Sequence, residues 1–94
     1  IDINPGANNT ISGNVVTDCA NSCIRLPSDT ITRGNVVRDN YVFDGTTGGI
    51  SSGADNNIYI NNTVVFSNSA FIFTSSDNNQ FYNNTALNNT AGIS

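Results

Sequence analysis

The sequence contains no lysine, histidine, glutamate, methionine or tryptophan, and its only cations are Arg25, Arg33 and Arg38. These absences exclude several partners. With a formal net charge of −4 and so few cations, nothing is available to neutralise phosphates, so no nucleic-acid partner is expected. Binding to an anionic membrane surface is not expected either. No apolar run approaches the roughly 18 residues of a membrane span, and the start at Ile1 does not read as a secretory signal. Helix-favouring residues are scarce. A chain of 94 residues forms one domain and buries only about 60–65% of its unfolded surface, so any core is narrow or shared with neighbouring chains.

What is present in quantity is Asn, Thr, Ser, Gly, Val and Ile. Asn and Gly disfavour helices and ordinary strands alike, so this much Asn needs a specific structural use. Self-similarity supplies it. Asn8-Asn9-Thr10-Ile11 leads to Gly13-Asn14-Val15-Val16, and Thr30-Ile31 leads to Gly34-Asn35-Val36-Val37. Asn56-Asn57-Ile58 leads to Asn61-Asn62-Thr63-Val64, and Asn78-Asn79-Gln80-Phe81 leads to Asn83-Asn84-Thr85-Ala86. A second apolar patch follows each block, at Cys23-Ile24, Gly49-Ile50, Phe71-Ile72-Phe73 and Gly92-Ile93. A period of roughly 21–28 residues, with short apolar strands between polar corners, predicts a parallel β-helix. Leucine-rich repeats have similar length, but Leu26 and Leu87 are the only leucines.

The predicted fold is therefore all-β: a right-handed parallel β-helix of about four coils without caps. The coils are expected over 8–29, 30–55, 56–77 and 78–94, the last completed by 1–7 of a neighbouring copy, with an insertion around Asp44–Gly48. Equivalent residues in successive coils stack about 4.8 Å apart, and stacked Asn side chains can hydrogen-bond from coil to coil. The expected columns are Asn14/Asn35/Asn62/Asn84 and Asn40/Asn68/Asn89.

The recurring phrase NNT-I…N…N…GI resembles the right-handed β-helix repeat of pectate-lyase-like proteins, particularly the NosD-like group. The resemblance covers nearly the whole chain and implies the fold. It implies little about activity, because many functions share this repeat. In that family an Arg base and Asp-bound calcium typically work on one face, so Arg25 or Arg38 beside Asp18 and Asp39 would imitate the arrangement. No family catalytic motif matches residue by residue, and no catalytic residue is assigned. Tyr41, Tyr59 and Tyr82 read as surface or core-capping residues.

The ends suggest assembly. Joining Ser94 to Ile1 gives a phrase parallel to Gly49–Asn57, so two half-coils would make one coil. Ile1, Ile3 and Ile93 are then the candidate subunit-joint residues of a head-to-tail, non-closing contact. The other reading of the open ends is a piece of a longer β-helix.

Cys19 and Cys23 lie four apart across a corner. A disulfide there would imply an oxidising compartment; two buried thiols acting as small apolar residues are the alternative. Two Cys without His lack a zinc ligand set. Asp29, Asp55 and Asp77 each precede the next coil and form a weak calcium candidate; the competing reading is exposed corner residues held by Asx-turn hydrogen bonds. No other metal or cofactor is expected. Asn8, Asn61, Asn83 and Asn88 begin Asn-x-Thr sequons and are candidate glycan acceptors, unless the same Asn serve the ladder.

The leading expectation is an extracellular or cell-surface structural unit and not an enzyme, which stacks on copies of itself or continues a longer solenoid. The alternatives are a non-catalytic fragment of a polysaccharide lyase or epimerase, and a carbohydrate-binding or adhesive module.

Overall fold

Direction changes in this chain are made by residues with left-handed backbone. Among the described residues, positive φ occurs at ten non-glycine residues and two glycines, twelve positions in all, which is three corners in each of four coils. The first corner uses Asn8, Gly34, Asn56 and Asn78; the second uses Gly13, Asp39, Asn61 and Asn83; the third uses Asp18, Asp44, Phe66 and Asn88. Asn, Asp and Gly tolerate this conformation, which accounts for eleven of the twelve and leaves Phe66 as the exception.

Short strands run between the corners in a computed structural model that describes residues 1–3, 5–28, 31–74 and 76–93. Sheet one contains β1 (Thr10–Ser12), β4 (Val36–Arg38), β7 (Ile58–Ile60) and β10 (Gln80–Tyr82). Sheet two contains β2 (Val15–Cys19), β5 (Tyr41–Gly45), β8 (Thr63–Val65) and β11 (Thr85–Leu87). Sheet three contains β3 (Ser22–Leu26), β6 (Gly48–Ser52), β9 (Ser69–Phe73) and β12 (Ala91–Ile93). All pairings are parallel. The result is a three-sided parallel β-solenoid of four coils, as the repeat predicts.

The register corrects the expected boundaries. Thr10 pairs with Val36, Val36 with Ile58 and Ile58 with Gln80, so the offset is 26 residues and then twice 22. The second coil begins at Gly34, not at residue 30. The extra length lies after β3: residues 27–33 separate Leu26 from the next corner, whereas residues 53–55 separate Ser52 from Asn56. The Asp44–Gly48 segment carries only one residue more than its counterpart in the third coil, since Gly48 pairs with Ser69 while Gly45 lies against Ser67.

The Asn columns are also regrouped. Asn9, Asn35, Asn57 and Asn79 form one ladder, in which each backbone N–H donates to the Oδ1 of the next coil at 2.9, 3.0 and 2.9 Å. Asn14, Asn40, Asn62 and Asn84 form the second, at 3.1, 3.2 and 3.0 Å. The third corner stacks Cys19, Gly45, Ser67 and Asn89, with Gly45 N donating to Ser67 Oγ at 3.0 Å and Ser67 N to Asn89 Oδ1 at 2.7 Å. Asn68 stands exposed outside the ladders. The ladder residue always follows the left-handed one. Because two corners per coil use nearly the same phrase, a sequence match slides easily from one corner to the next, as it did in placing Asn35 with Asn14.

Inward residues fill a narrow core. Ile11, Val37 and Tyr59 stack in sheet one, Val42 and Val64 in sheet two, and Ile24, Ile50 and Phe71 in sheet three, all buried. The solenoid is so thin at Gly49 that an added Cβ would collide with the Val64 side chain and lie 2.8 Å from the Ala70 carbonyl oxygen. Aromatics dominate the later coils, where Tyr59 meets Phe73 edge-on at 5.2 Å and Phe71 meets Phe81 at 4.9 Å. Tyr59 is thus a core residue, not a surface or capping one, because its strand position faces inward; Tyr41 and Tyr82 are exposed.

Sheet three carries one further segment. Ile1–Ile3 lies beside β3, with Asp2 opposite Arg25, Arg25 N donating to Ile1 O at 2.8 Å and Ile3 N to Arg25 O at 3.0 Å. Ile1–Ile3 and β12 therefore hold the same place in the same sheet at opposite ends of the stack. The half-coil ending at Ile93 and the half-coil beginning at Ile1 duplicate a strand position instead of complementing one another. An in-register copy would bring its Ile1–Ile3 onto the place of β12.

Candidate functional site

The outer face of sheet three carries a groove. Arg25, Ser51 and Ile72 occupy one outward column across three coils. Asn21 and Thr47 wall one side, joined by a hydrogen bond from Thr47 Oγ1 to Asn21 Oδ1 at 3.1 Å. Pro27, Ser28, Gly53 and Thr74 wall the other. Gly53 is required there, since a Cβ would lie 2.9 Å from the Ser28 Cβ. The open groove has a volume of about 340 Å³, at the lower end of the roughly 300–1,000 Å³ of small-ligand sites. Its lining offers hydroxyls, a carboxamide, one guanidinium and the aliphatic side chains of Leu26, Pro27 and Ile72, and it crosses the strands parallel to the solenoid axis. That chemistry suits a linear polar ligand. Asp2 holds the Arg25 guanidinium at 2.9 Å, both side chains being about half exposed.

The residues singled out from sequence are distributed differently. Cys19 and Cys23 are joined in a disulfide, with Cα atoms 5.2 Å apart, across the corner between β2 and β3. Asp55 and Asp77 do stack, but Asp77 N donates to Asp55 Oδ1 at 2.7 Å, so a cross-coil backbone bond uses that carboxylate. Asp29 lies outside the described residues. Counting back from the pairing of the first corner, Arg33 stands opposite Asp55 in the next coil. Asp39 is ion-paired with Arg38 at 3.3 Å on the exposed surface, while Asp18 turns the third corner beside Asp44. The imitation of an Arg and Asp face is therefore not assembled: Arg25 pairs with Asp2, and Asp18 and Asp39 turn different corners.

Asn8, Asn61, Asn83 and Asn88 are all left-handed corner residues, with φ of 58, 54, 49 and 52°, and all four are exposed. Their neighbours Asn9, Asn62, Asn84 and Asn89 make the ladder bonds instead. Ile1 and Ile93 are 46% and 64% exposed at the two ends of sheet three, and Ile3 packs partly against the core. The groove itself was missed from sequence. Its one signal in the sequence is the long stretch 27–33 between Leu26 and Gly34.

Among the described residues, a single titrating group is clearly displaced. Burial pushes the Tyr59 phenol up to about 12, and the Ser52 hydroxyl beside it draws it part of the way back. That contact falls short of full hydrogen-bond geometry, and the Tyr59 hydroxyl is otherwise unpartnered.

Over residues 1–94 the chain matches the family described as Periplasmic copper-binding protein (NosD). No curated protein and no solved structure matches it. Copper favours thiolate, thioether and imidazole donors. The sequence has no His or Met, both Cys are closed in the disulfide, and no cluster of three or more His, Cys, Asp or Glu occurs among the described residues. The residues present do not fit a copper site.

Proposed function

The chain belongs to the NosD family of β-helix proteins, and from that premise we propose that it is a structural, extracytoplasmic solenoid segment whose open layers are met by further coils. The observation that carries this reading is the continuity of the corner ladders. In each of the first three coils the backbone N–H of the ladder residue at the second corner donates to the carboxamide of the next coil. In the fourth coil the corresponding groups of Asn79, Asn84 and Asn89 have no such acceptor among the described residues. Beside Asn79, the rings of Phe73 and Phe81 line a recess together with Ser76, Asp77 and Asn78. Another coil supplies what both features need, since repeat units gain most of their stability from the neighbour interface. The disulfide and the family's periplasmic description support a place outside the cytoplasm. In this reading the chain is a scaffold without a catalytic step.

Appending one coil copied from residues 56–77 after Ile93 tests it. The extended chain is expected to unfold at a higher temperature and in one transition with the original coils. An extension that stays disordered, or melts separately without raising the midpoint, contradicts the reading. Electron microscopy of the 94-residue chain then separates the two sources of the next coil. Thin filaments would mean that copies supply it after displacing Ile1–Ile3, and Ile93→Asp should abolish them by burying an unpaired charge in the joint. Dispersed particles would mean that the coil comes from the same polypeptide.

The groove on sheet three favours a second reading, a carbohydrate-binding or adhesive module. Retardation in polysaccharide affinity gels that disappears in Arg25→Ala and Ser51→Leu would support it; unchanged mobility in neutral and acidic polysaccharides would remove it.

A further inference from the structure

We propose that Asn8, Asn61, Asn83 and Asn88 are acceptor sites for N-linked sugar, and that coil spacing sets which of them are filled together. The inference rests on the extracytoplasmic placement above and otherwise on geometry. A sequon in a β-solenoid is ambiguous, because the repeat needs Asn for its ladders and a ladder carboxamide has no free nitrogen. Here the two roles fall on different residues. The ladder Asn is the second residue of each sequon, and the acceptor Asn is the left-handed residue before it. The carboxamides of Asn61, Asn83 and Asn88 make no hydrogen bond among the described residues. The sequon hydroxyls are also on the outside: Thr10, Thr85 and Thr90 are exposed and Thr63 half-buried, while the next residues Ile11 and Val64 face the core.

The reaction this permits is a glycosyl transfer. The Asn Nδ2 attacks the anomeric carbon of a sugar carried on a lipid diphosphate. A C–N bond forms, the bond from that carbon to the phosphate oxygen breaks, the lipid diphosphate leaves, and Nδ2 gives one proton to the transferase. The product is a sugar standing outward from a corner, where no strand or core contact is disturbed.

The four sites are not equivalent. Asn61 and Asn83 are direct neighbours in one corner column, about 4.8 Å apart, too close for two branched glycans. Asn8 stacks on Gly34 and Asn88 on Phe66, so neither faces a competing acceptor. Asn8 and Asn88 are expected to fill independently, and Asn61 and Asn83 to exclude one another.

The test is glycopeptide and intact-mass spectrometry on the chain exported by a host with an Asn-x-Thr-specific oligosaccharyltransferase, together with Thr85→Val and Thr85→Ser. Expected are sugars on Asn8 and Asn88, at most one on the Asn61/Asn83 pair in any molecule, higher Asn61 occupancy in Thr85→Val, and retained Asn83 occupancy in Thr85→Ser. Folded, exported chain without sugar at any of the four Asn overturns the proposal. Molecules filled at both Asn61 and Asn83 overturn the spacing rule.

Discussion

Two corners of each coil are held by unbroken Asn ladders, and the third is held differently in every coil. At the first and second corners the buried carboxamides of Asn35, Asn40, Asn57 and Asn62 each accept a backbone N–H from the coil before and donate to a backbone carbonyl. Asn62, for example, receives both Asn40 N and Asn40 Nδ2, and its own Nδ2 donates to Val37 O at 2.9 Å and Asn84 Oδ1 at 2.9 Å. At the third corner the first coil uses a disulfide, the second a glycine where a Cβ would collide with the Gly48 carbonyl, the third Ser67 beside a left-handed Phe66, and the fourth Asn89. The difference separates what a corner requires from one way of meeting it. Each corner uses a left-handed residue. The N–H of the coil before meets a carboxamide throughout the first two corners. At the third the acceptor is the Ser67 hydroxyl or the Asn89 carboxamide, and Gly45 offers none.

The comparison is broken most severely at Asn62. Asn62→Ala leaves buried donors and a carbonyl without partners at about 1–3 kcal/mol each, so a loss of about 3–5 kcal/mol is expected in urea unfolding. A loss below about 1 kcal/mol, within the range of an ordinary surface change, would show that the ladder is ornamental. Tyr59, whose carbonyl receives Asn84 Nδ2 at 2.9 Å, probes the core between the two amide corners. Its raised pKa means that the unfolded state releases the proton first. Stability should therefore be intact below pH 10, fall as pH rises toward about 12, and lose roughly 2–3 kcal/mol in total. Tyr59→Phe should lack that component, and an identical alkaline profile in the variant would contradict the assignment.

The third corner should respond more mildly. Replacing both Cys19 and Cys23 by Ala removes a cross-link over a five-residue loop, worth about 2 kcal/mol on chain-entropy grounds, and thermal unfolding without reductant measures it. A cost as large as that of Asn62→Ala would erase the distinction between the corners. The smallest effect is expected at Phe66. Phe66→Asn relieves a left-handed aromatic residue but loses an edge-on contact with Phe43 at 5.4 Å, itself worth about 0.5–1.5 kcal/mol. A net change within about 1 kcal/mol should result, and a larger destabilisation would mean that the aromatic pair, not the turn, holds this corner.

The class of fold was legible because Asn8-Asn9, Asn56-Asn57 and Asn78-Asn79 punctuate apolar triplets at a regular interval. The register was not. Gly34-Asn35-Val36-Val37 matches Gly13-Asn14-Val15-Val16 in wording but belongs one corner earlier, because both corners ask for the same left-handed residue followed by the same carboxamide. The four additional residues in 27–33 are therefore hidden by the matching phrase, and with them the wall that Pro27 and Ser28 give the groove. The third corner was illegible for a different reason. Cys19, Gly45, Ser67 and Asn89 share no side chain, so only their stacking shows that they do one job. Tyr59 was misjudged because an isolated Tyr between Ile58 and Ile60 does not declare which face it takes.

The pairing across the first two coils is the most direct point of test, since every later assignment follows from it. Solution NMR of the chain should give backbone contacts from Ile11 to Val37 and from Val37 to Tyr59. Contacts from Ile11 to Ile31 instead would restore the shorter first coil, dissolve the Asn14/Asn40/Asn62/Asn84 ladder and contradict the account.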